Sequence, residues 1–281
     1  MWNIFIIQPF TNLLIWIYSL IANVPGAFGW AIILFTILIR LVTWPLNAQQ
    51  QKSARAMQEL QNDKEWQAIQ KKYAKDREKL AQEQMRIYKK KGVTPFGSCL
   101  PTLIQFPIIV GLYRTIIIAL AATPLGLLDL ARNIYPSLNA AAFIPLNSHF
   151  LWMDLGRPEF ISVLGFNLPL LAIIVAITTY IQSKLTMPAS SNPNDQSAMM
   201  SKLMTFMMPF MLGYFALNFA SGLSVYFVIS NLLGIFQYAV TGRANWHNLL
   251  PGSNKRKPNS KPGSSGRPGI DRLAGRRPHL P

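Results

Sequence analysis

The chain has 281 residues, of which 51% are hydrophobic and only 14% charged, with a mean hydropathy of +0.23. A typical soluble domain carries about 25% charged residues, so this composition argues against both a soluble enzyme and a disordered chain. The charge is lopsided, with 27 Lys+Arg against 11 Asp+Glu and a net +16, a balance that suits a membrane protein with basic loops or a nucleic-acid binder.

About 20 apolar residues cross a bilayer as a helix, and runs of that kind set the organisation. The first stretch, residues 1–24, is apolar and uncharged, but Gln8, Pro9, Thr11 and Asn12 interrupt it, and Trp2, Trp16 and Tyr18 favour the membrane interface. It reads as an amphipathic helix lying in the interface, with a crossing helix as the alternative. Five candidate spans follow, at 28–46, 96–121, 161–185, 203–219 and 223–240. Ala220-Ser221-Gly222 leaves the last two joined by a tight turn.

Loop charges orient these spans. Residues 47–95 hold a dense set of lysines and arginines, as does the tail 244–281 with Lys255, Arg256, Lys257, Arg276 and Arg277, whereas 122–160 holds only Arg132 and Arg157. Positive charge stays inside, which puts 47–95 and the tail in the cytoplasm, 122–160 outside, and the N-terminus outside. Residues 47–91 read as two helices turning near 74–76, an antiparallel hairpin in which Trp66 and Tyr88 are available for contacts. A solvated spacer and a client-docking device are equally good readings of it. The tail, rich in Pro, Gly, Ser and basic residues, is expected to be disordered and to favour anionic lipid or ribosomal RNA.

Catalytic chemistry has few candidates. No Asp or Glu lies within a span, and no glycine-rich loop is followed by Lys-Ser/Thr to hold phosphates. Cys99 is the only cysteine, and His149, His247 and His279 are scattered, so neither metal nor cofactor is expected. Arg40 stands apart. It lies about six residues, roughly 9 Å, inside the cytoplasmic end of the first span, where a charge costs on the order of 2.5–3.5 kcal/mol. It either snorkels to headgroups or lines a water-filled cavity; intramembrane charges usually face such cavities, and this reading is preferred. Thr36 and Thr43, at i−4 and i+3, share its face. Gln105, Gln182, Ser230, Asn231 and Gln237 either line the same cavity or tie helices together. Arg114 lies near the outer end of its span and is expected to snorkel. Met200, Met204, Met207, Met208 and Met211 form a stripe suited to packing or to varied apolar partners.

These residues spell a pattern. Gly29-Trp30-Ala31-Ile32 runs through Thr36 and Arg40 to Pro45-Leu46, followed by Leu60-Gln61, Tyr88-Lys89 and Pro95-Phe96-Gly97 with Cys99-Leu100-Pro101. Leu103-Ile104-Gln105-Phe106-Pro107, Gln182-Ser183-Lys184, Lys202 to Met207 with Pro209, and Ser221-Gly222-Leu223 through Tyr226 to Ser230-Asn231-Leu232 come next in order. In this respect residues 1–243 resemble the YidC membrane-protein insertases, whose relatives include the mitochondrial oxidase-assembly and chloroplast Albino insertases.

The resemblance implies an all-α polytopic membrane protein in which five spans, within 25–243, enclose a hydrophilic groove open to the cytoplasm. An interfacial helix would precede them, and a cytoplasmic hairpin would join the first two. It implies that the family's groove arginine falls on Arg40 and its neighbouring threonine on Thr36, with contacts to the client helix around Gln182 and Tyr226–Phe227. It further implies that the chain moves segments of nascent membrane proteins into lipid without nucleotide. The ribosome is an expected partner through the basic tail, and the Sec translocase and the signal recognition machinery are candidate partners, with action alone as the alternative. A bacterial plasma membrane is the expected location, with thylakoid as the alternative. Two departures from the family pattern are expected: residues 1–24 already read as the interfacial helix, where some members place a large extracytoplasmic domain first, and Tyr226-Phe227 stands where some members have two tyrosines. A transporter and an RNA-binding anchor are the rival classes; no internal repeat and no coupling acid support the transporter.

Overall fold

The computed structural model describes residues 2–61, 63–73, 76–92, 100–120, 123–136, 138, 146–163, 166–186 and 196–241. The basic tail, with Lys255, Arg256, Lys257, Arg276 and Arg277, lies outside the described residues.

Helix α1 (Gln8–Ile21) follows one π-helical stretch, Asn3–Ile7. It buries Thr11, Asn12, Leu14, Ile15, Ile17 and Tyr18 on one face, while Phe5, Trp16 and Leu20 are exposed. Helix α2 (Ala27–Gln61) runs 35 residues without a break, about 52 Å at 1.5 Å per residue. That exceeds a hydrocarbon core of about 30 Å, so the helix extends well beyond one bilayer thickness. Pro45 removes one backbone bond inside α2 without ending it, as Pro107 does in α5 (Leu100–Ala119) and Pro209 in α8 (Gln196–Asn218).

Two shorter helices, α3 (Lys64–Lys72) and α4 (Arg77–Lys91), complete the segment after α2. The expected pair of helices is therefore three helical pieces, with α3 starting anew from its cap at Asp63. Asp63 and Asp76 cap α3 and α4 by accepting from the backbone N–H groups of Glu65 and Lys79, and Gly92, at φ 64, ends α4 in the left-handed conformation. Leu60, Trp66 and Ile87 form a small separate core. Lys91 donates to Asp63 at 2.6 Å and Lys90 to Glu65 at 3.0 Å. The Lys91 contact holds the Asp63 carboxyl below its ordinary range and the Lys91 ammonium above its own.

Beyond α5, helix α6 (Pro124–Asn133) is capped by the Thr123 hydroxyl. Two small antiparallel hairpins follow, β1 (His149–Phe150) with β2 (Met153–Asp154) and β3 (Ile161–Val163) with β4 (Phe166–Leu168). Helix α7 spans Leu170–Thr186 and α9 Ser221–Val240. The expected span 161–185 is thus shorter than its apolar run, because its first residues pair as β3–β4. Apolar and polar residues alternate there, and Pro169 disfavours a helical conformation for Leu168.

Among the described residues, Asn3–Ile21, Ala27–Ser53 and Ser221–Val240 are long and apolar enough to cross a membrane, with Gln105–Ala119 and Leu170–Leu185 as shorter apolar helices. Helix α9 sits at the centre and packs on α2, α5 and α7, and α8 lies against α7. Gly213 brings α8 close to α7, since a Cβ there would stand 3.2 Å from that of Ala176. Helix α1 is tied to α5 by Thr11 and Thr115, whose hydroxyls are 3.3 Å apart. Asn12 joins it to the C-terminal end of α6 and the residues just beyond, donating to the Asn133 carbonyl and accepting from Tyr135 N–H.

The hairpins close one end of the bundle. Phe150 lies over Gly29, where a Cβ would come within 2.2 Å of its ring. The N-terminus of α9 donates to 155–157: Ser221 N–H to the Arg157 carbonyl at 2.8 Å and Gly222 N–H to Leu155 at 3.0 Å. Leu151, in the β1–β2 turn, has φ 55, a conformation that costs a non-glycine residue roughly 1–2 kcal/mol. Glu159 is buried, and its carboxylate accepts from the Trp152 indole at 2.9 Å and from Leu171 N–H in the first turn of α7 at 3.0 Å. Glu159→Ala leaves both donors without their acceptor and is expected to lower stability by about 1–3 kcal/mol, with Glu159→Gln milder. Unfolding in detergent, followed by circular dichroism, checks the order.

Candidate functional site

Arg40 lies 13 residues into α2, about 20 Å along the axis from Ala27. Its Nε and Nη2 both donate to the Ser230 hydroxyl of α9, at 2.9 and 2.6 Å. One turn earlier on α9, the buried Tyr226 hydroxyl accepts from Gln105 Nε2 of α5 and lies within hydrogen-bonding reach of Ser230. Gln105, Tyr226, Ser230 and Arg40 therefore form one polar chain across α5, α9 and α2. A guanidinium carries five N–H donors, and a single hydroxyl oxygen receives two of them. Among the described residues no carboxylate makes an ion pair with Arg40. The α2–α9 seam continues toward the α2 extension, where Gln237 donates to the Trp44 carbonyl at 3.4 Å and Thr241 meets Gln51 at 3.4 Å.

The remaining candidates separate into different roles. Thr36 is fully buried and donates to the Ile32 carbonyl at 2.7 Å, so its hydroxyl is satisfied within its own helix. Thr43 bonds back to Ile39 at 2.8 Å and receives Asn47 at 3.5 Å. Phe227 is buried beside the Tyr226 ring. Asn231 faces α7, donating to Thr179 at 2.8 Å and Thr178 at 3.1 Å, which makes it an interhelical tie. Gln182 lies over Gly234, where a Cβ would come within 2.7 Å of its Nε2, and its buried Oε1 has no hydrogen-bond partner.

Outside this chain of residues, Trp66 is buried against Tyr88, with ring centroids 5.2 Å apart. That burial raises the Tyr88 hydroxyl above its ordinary range. Trp66 is thus interior to the hairpin rather than available to a client, because the hairpin is too small to form a core without it. Met207 and Met211 are exposed on α8 together with Phe206 and Phe210, and Arg114 is exposed on α5.

Ser230 is the residue that sequence reasoning left among the general polar set. Its signal was its spacing, one helical turn beyond Tyr226.

Helices of this length and apolarity, arranged around α9, define an integral membrane protein. The family model described as 60Kd inner membrane protein matches residues 20–247, and the chain belongs to that family, the YidC-type membrane protein insertases. It is 36% identical over 247 residues to the membrane protein insertase YidC of Oceanobacillus iheyensis, covering 84% of this chain and 81% of that relative. To the membrane protein insertase MisCA of Bacillus subtilis it is 34% identical, covering 84% and 77%. ALBINO3-like protein 1, chloroplastic, of Arabidopsis thaliana is 34% identical over 76% of this chain and 43% of its own length. Among solved structures, an active YidC insertase with its first transmembrane domain resolved matches with a TM-score of 0.52 and 27% identity. That match covers 83% of this chain and 45% of the solved chain, so the present chain spans less than half of it.

Asn231 and Gln182 give opposite expectations although both are polar residues at the α7–α9 contact. Asn231→Leu removes two interhelical bonds and is expected to cost about 0.6–1.7 kcal/mol. Gln182→Leu removes an acceptor that has no donor, so stability is expected to stay level or rise. Equilibrium unfolding in mixed micelles distinguishes them, and any insertion defect in Gln182→Leu then reflects function rather than folding.

Proposed function

We propose that this chain moves hydrophobic segments of newly made proteins into the bilayer through a hydrophilic groove open to the cytoplasm, with Arg40 as its key charge. Five spans (α2, α5, α7, α8 and α9) would form the core, with α1 in the outer interface, the N-terminus outside and the tail in the cytoplasm of a bacterial plasma membrane. The observation that carries this reading is Arg40 itself: a guanidinium in an apolar helix, held by one hydroxyl and paired with no described carboxylate. Such a group attracts an acidic residue in the polar flank of a client. The client's apolar helix meanwhile leaves along α7 and α9, and its own burial in lipid drives the step. No span carries an acid and no phosphate-binding loop is present in the sequence, which supports a mechanism without nucleotide hydrolysis. The names of the relatives support insertase activity, and nascent membrane proteins are accordingly the proposed clients. The Sec translocase and the signal recognition machinery are proposed as upstream partners.

Replacing Arg40 with Lys, Ala and Glu tests the groove charge, using a single-span client with an acidic outside flank in reconstituted vesicles. Lys is expected to retain most insertion, Ala to lose on the order of tenfold, equivalent to about 1.4 kcal/mol, and Glu to lose most. Equal insertion by all three at normal expression overturns the electrostatic role.

We further propose that the tail 244–281 tethers translating ribosomes. Its Lys255-Arg256-Lys257 and Arg276-Arg277 clusters suit phosphate contacts, which weaken steeply as salt rises. Truncation at Asn254 is expected to reduce ribosome cosedimentation in neutral detergent without anionic lipid. Unchanged binding transfers the tail's role to the membrane surface.

A further inference from the structure

Among the described residues the β1–β2 hairpin packs on the bundle mainly through one of its sides. On that side Phe150 covers Gly29 and meets the Trp30 ring edge-on at 5.8 Å, and the Leu155 carbonyl just after β2 receives the N-terminus of α9. The turn itself projects outward: Leu151 is 73% exposed and Trp152 51%. Two-residue turns of this kind favour glycine at the first position, and Leu151 holds φ 55 there. In water, a strained and exposed leucine has no advantage over glycine or a polar residue. In lipid it does, because its side chain finds the burial that the chain does not provide. The Trp152 indole N–H is satisfied by Glu159, leaving an amphipathic ring of the type that settles at a membrane interface.

Two exposed apolar stripes lead to this turn. Trp30, Leu34 and Leu38 run along α2 from beneath Phe150, and Leu170, Ile173 and Ile177 run along α7 from the end that Glu159 caps. Both stripes lie on helices proposed above to span the bilayer, and the turn and the neighbouring Phe160, also 53% exposed, continue that exposed apolar surface at its end. Beside them, Arg157 keeps most of its side chain exposed while lying 3.8 Å from Asp154, well placed for an anionic headgroup.

We infer that Leu151, Trp152 and Phe160 dock into the headgroup–acyl boundary of the outer leaflet, making the 149–163 segment a lipid-anchored clamp over the outer ends of α7 and α9. The occupant is phospholipid. The inference rests on the proposed orientation that places 122–160 outside. Anchored in this way, the clamp holds the N-termini of both helices fixed in the plane of the membrane through Glu159, Leu155 and Arg157.

The test uses the full chain with Cys99→Ser and single cysteines at Leu151→Cys, Phe160→Cys and Asn147→Cys, each labelled with an environment-sensitive fluorophore. The proteins are placed in nanodiscs of phosphatidylcholine and phosphatidylglycerol, in which both faces are open to solvent. Labels at 151 and 160 are expected to emit at shorter wavelength than the label at 147. They should be quenched several-fold less by iodide and should respond most to nitroxides placed high on the acyl chain. Iodide quenching at 151 and 160 equal to that at 147 overturns the anchor. Orientation is read separately, by an impermeant maleimide on intact cells carrying Asn147→Cys. Labelling supports the outer leaflet, and no labelling there together with labelling after lysis overturns the assignment of side while leaving the nanodisc result to decide the docking.

Discussion

The pair of hydrogen bonds from Arg40 to Ser230 is the interaction around which this bundle is arranged. Between apolar helices in lipid, hydrophobic burial supplies little preference for one partner over another, so packing and polar ties fix which faces meet. Here the ties converge on α9. Ser230 holds α2, Tyr226 holds α5 through Gln105, Asn231 holds α7 through Thr178 and Thr179, and Gln237 holds α2 again. Successive contacts one helical turn apart, at 226 and 230, place the aromatic hydroxyl and the guanidinium on one line. Together the ties reach three neighbours, α2, α5 and α7, which makes α9 the axis of the fold.

The two ends of that axis are built differently. At its N-terminal end, backbone carbonyls of 155–157 satisfy the first N–H groups of α9 and Glu159 caps α7, while Phe150 fills the space that Gly29 leaves. The four unpaired donors at a helix start must find acceptors somewhere, and the stretch 155–159 between the two hairpins supplies them to Ser221 and Gly222 of α9 and to Leu171 of α7. Toward the C-terminal end the contacts become longer and more polar, with Gln237 and Thr241 reaching α2 at 3.4 Å. A bundle sealed tightly at one end and joined by long polar contacts at the other suits a one-sided opening, as the proposed groove requires.

Much of this was legible in the sequence. Apolar runs located α2, α5, α8 and α9 because about 20 residues without charge have few other uses, and Arg40 was conspicuous because it interrupts such a run. Partnership was less legible. Ser230 is one of many small polar residues in the spans, and only the packing of α2 on α9 brings it to Arg40. The strands β3 and β4 were hidden inside an apolar run, where alternation over three residues is too short to outweigh composition. Trp66 looked available because exposure cannot be read from residue type, and the hairpin instead needs its ring against Tyr88. Thr36 shares a helix face with Arg40, as its i−4 spacing required, yet its hydroxyl turns back to Ile32, a frequent outcome for a threonine within an apolar helix.

The proposed role of Arg40 also has a definite capacity. Carrying one carboxylate to the centre of a bilayer costs on the order of 2.5–3.5 kcal/mol on insertion scales. A guanidinium about 4 Å away recovers about 4 kcal/mol at an effective dielectric constant of 20. The two quantities are of the same size, so one arginine offsets one acid at a time. A second acid in the same flank would find Arg40 already paired, and with no other cation on the Gln105–Tyr226–Ser230–Arg40 chain it would meet close to the full barrier. Short flanks with sparse charge are therefore the clients that this arrangement suits on its own. Longer or more highly charged flanks need either passage one residue at a time past Arg40 or a separate translocase to carry them.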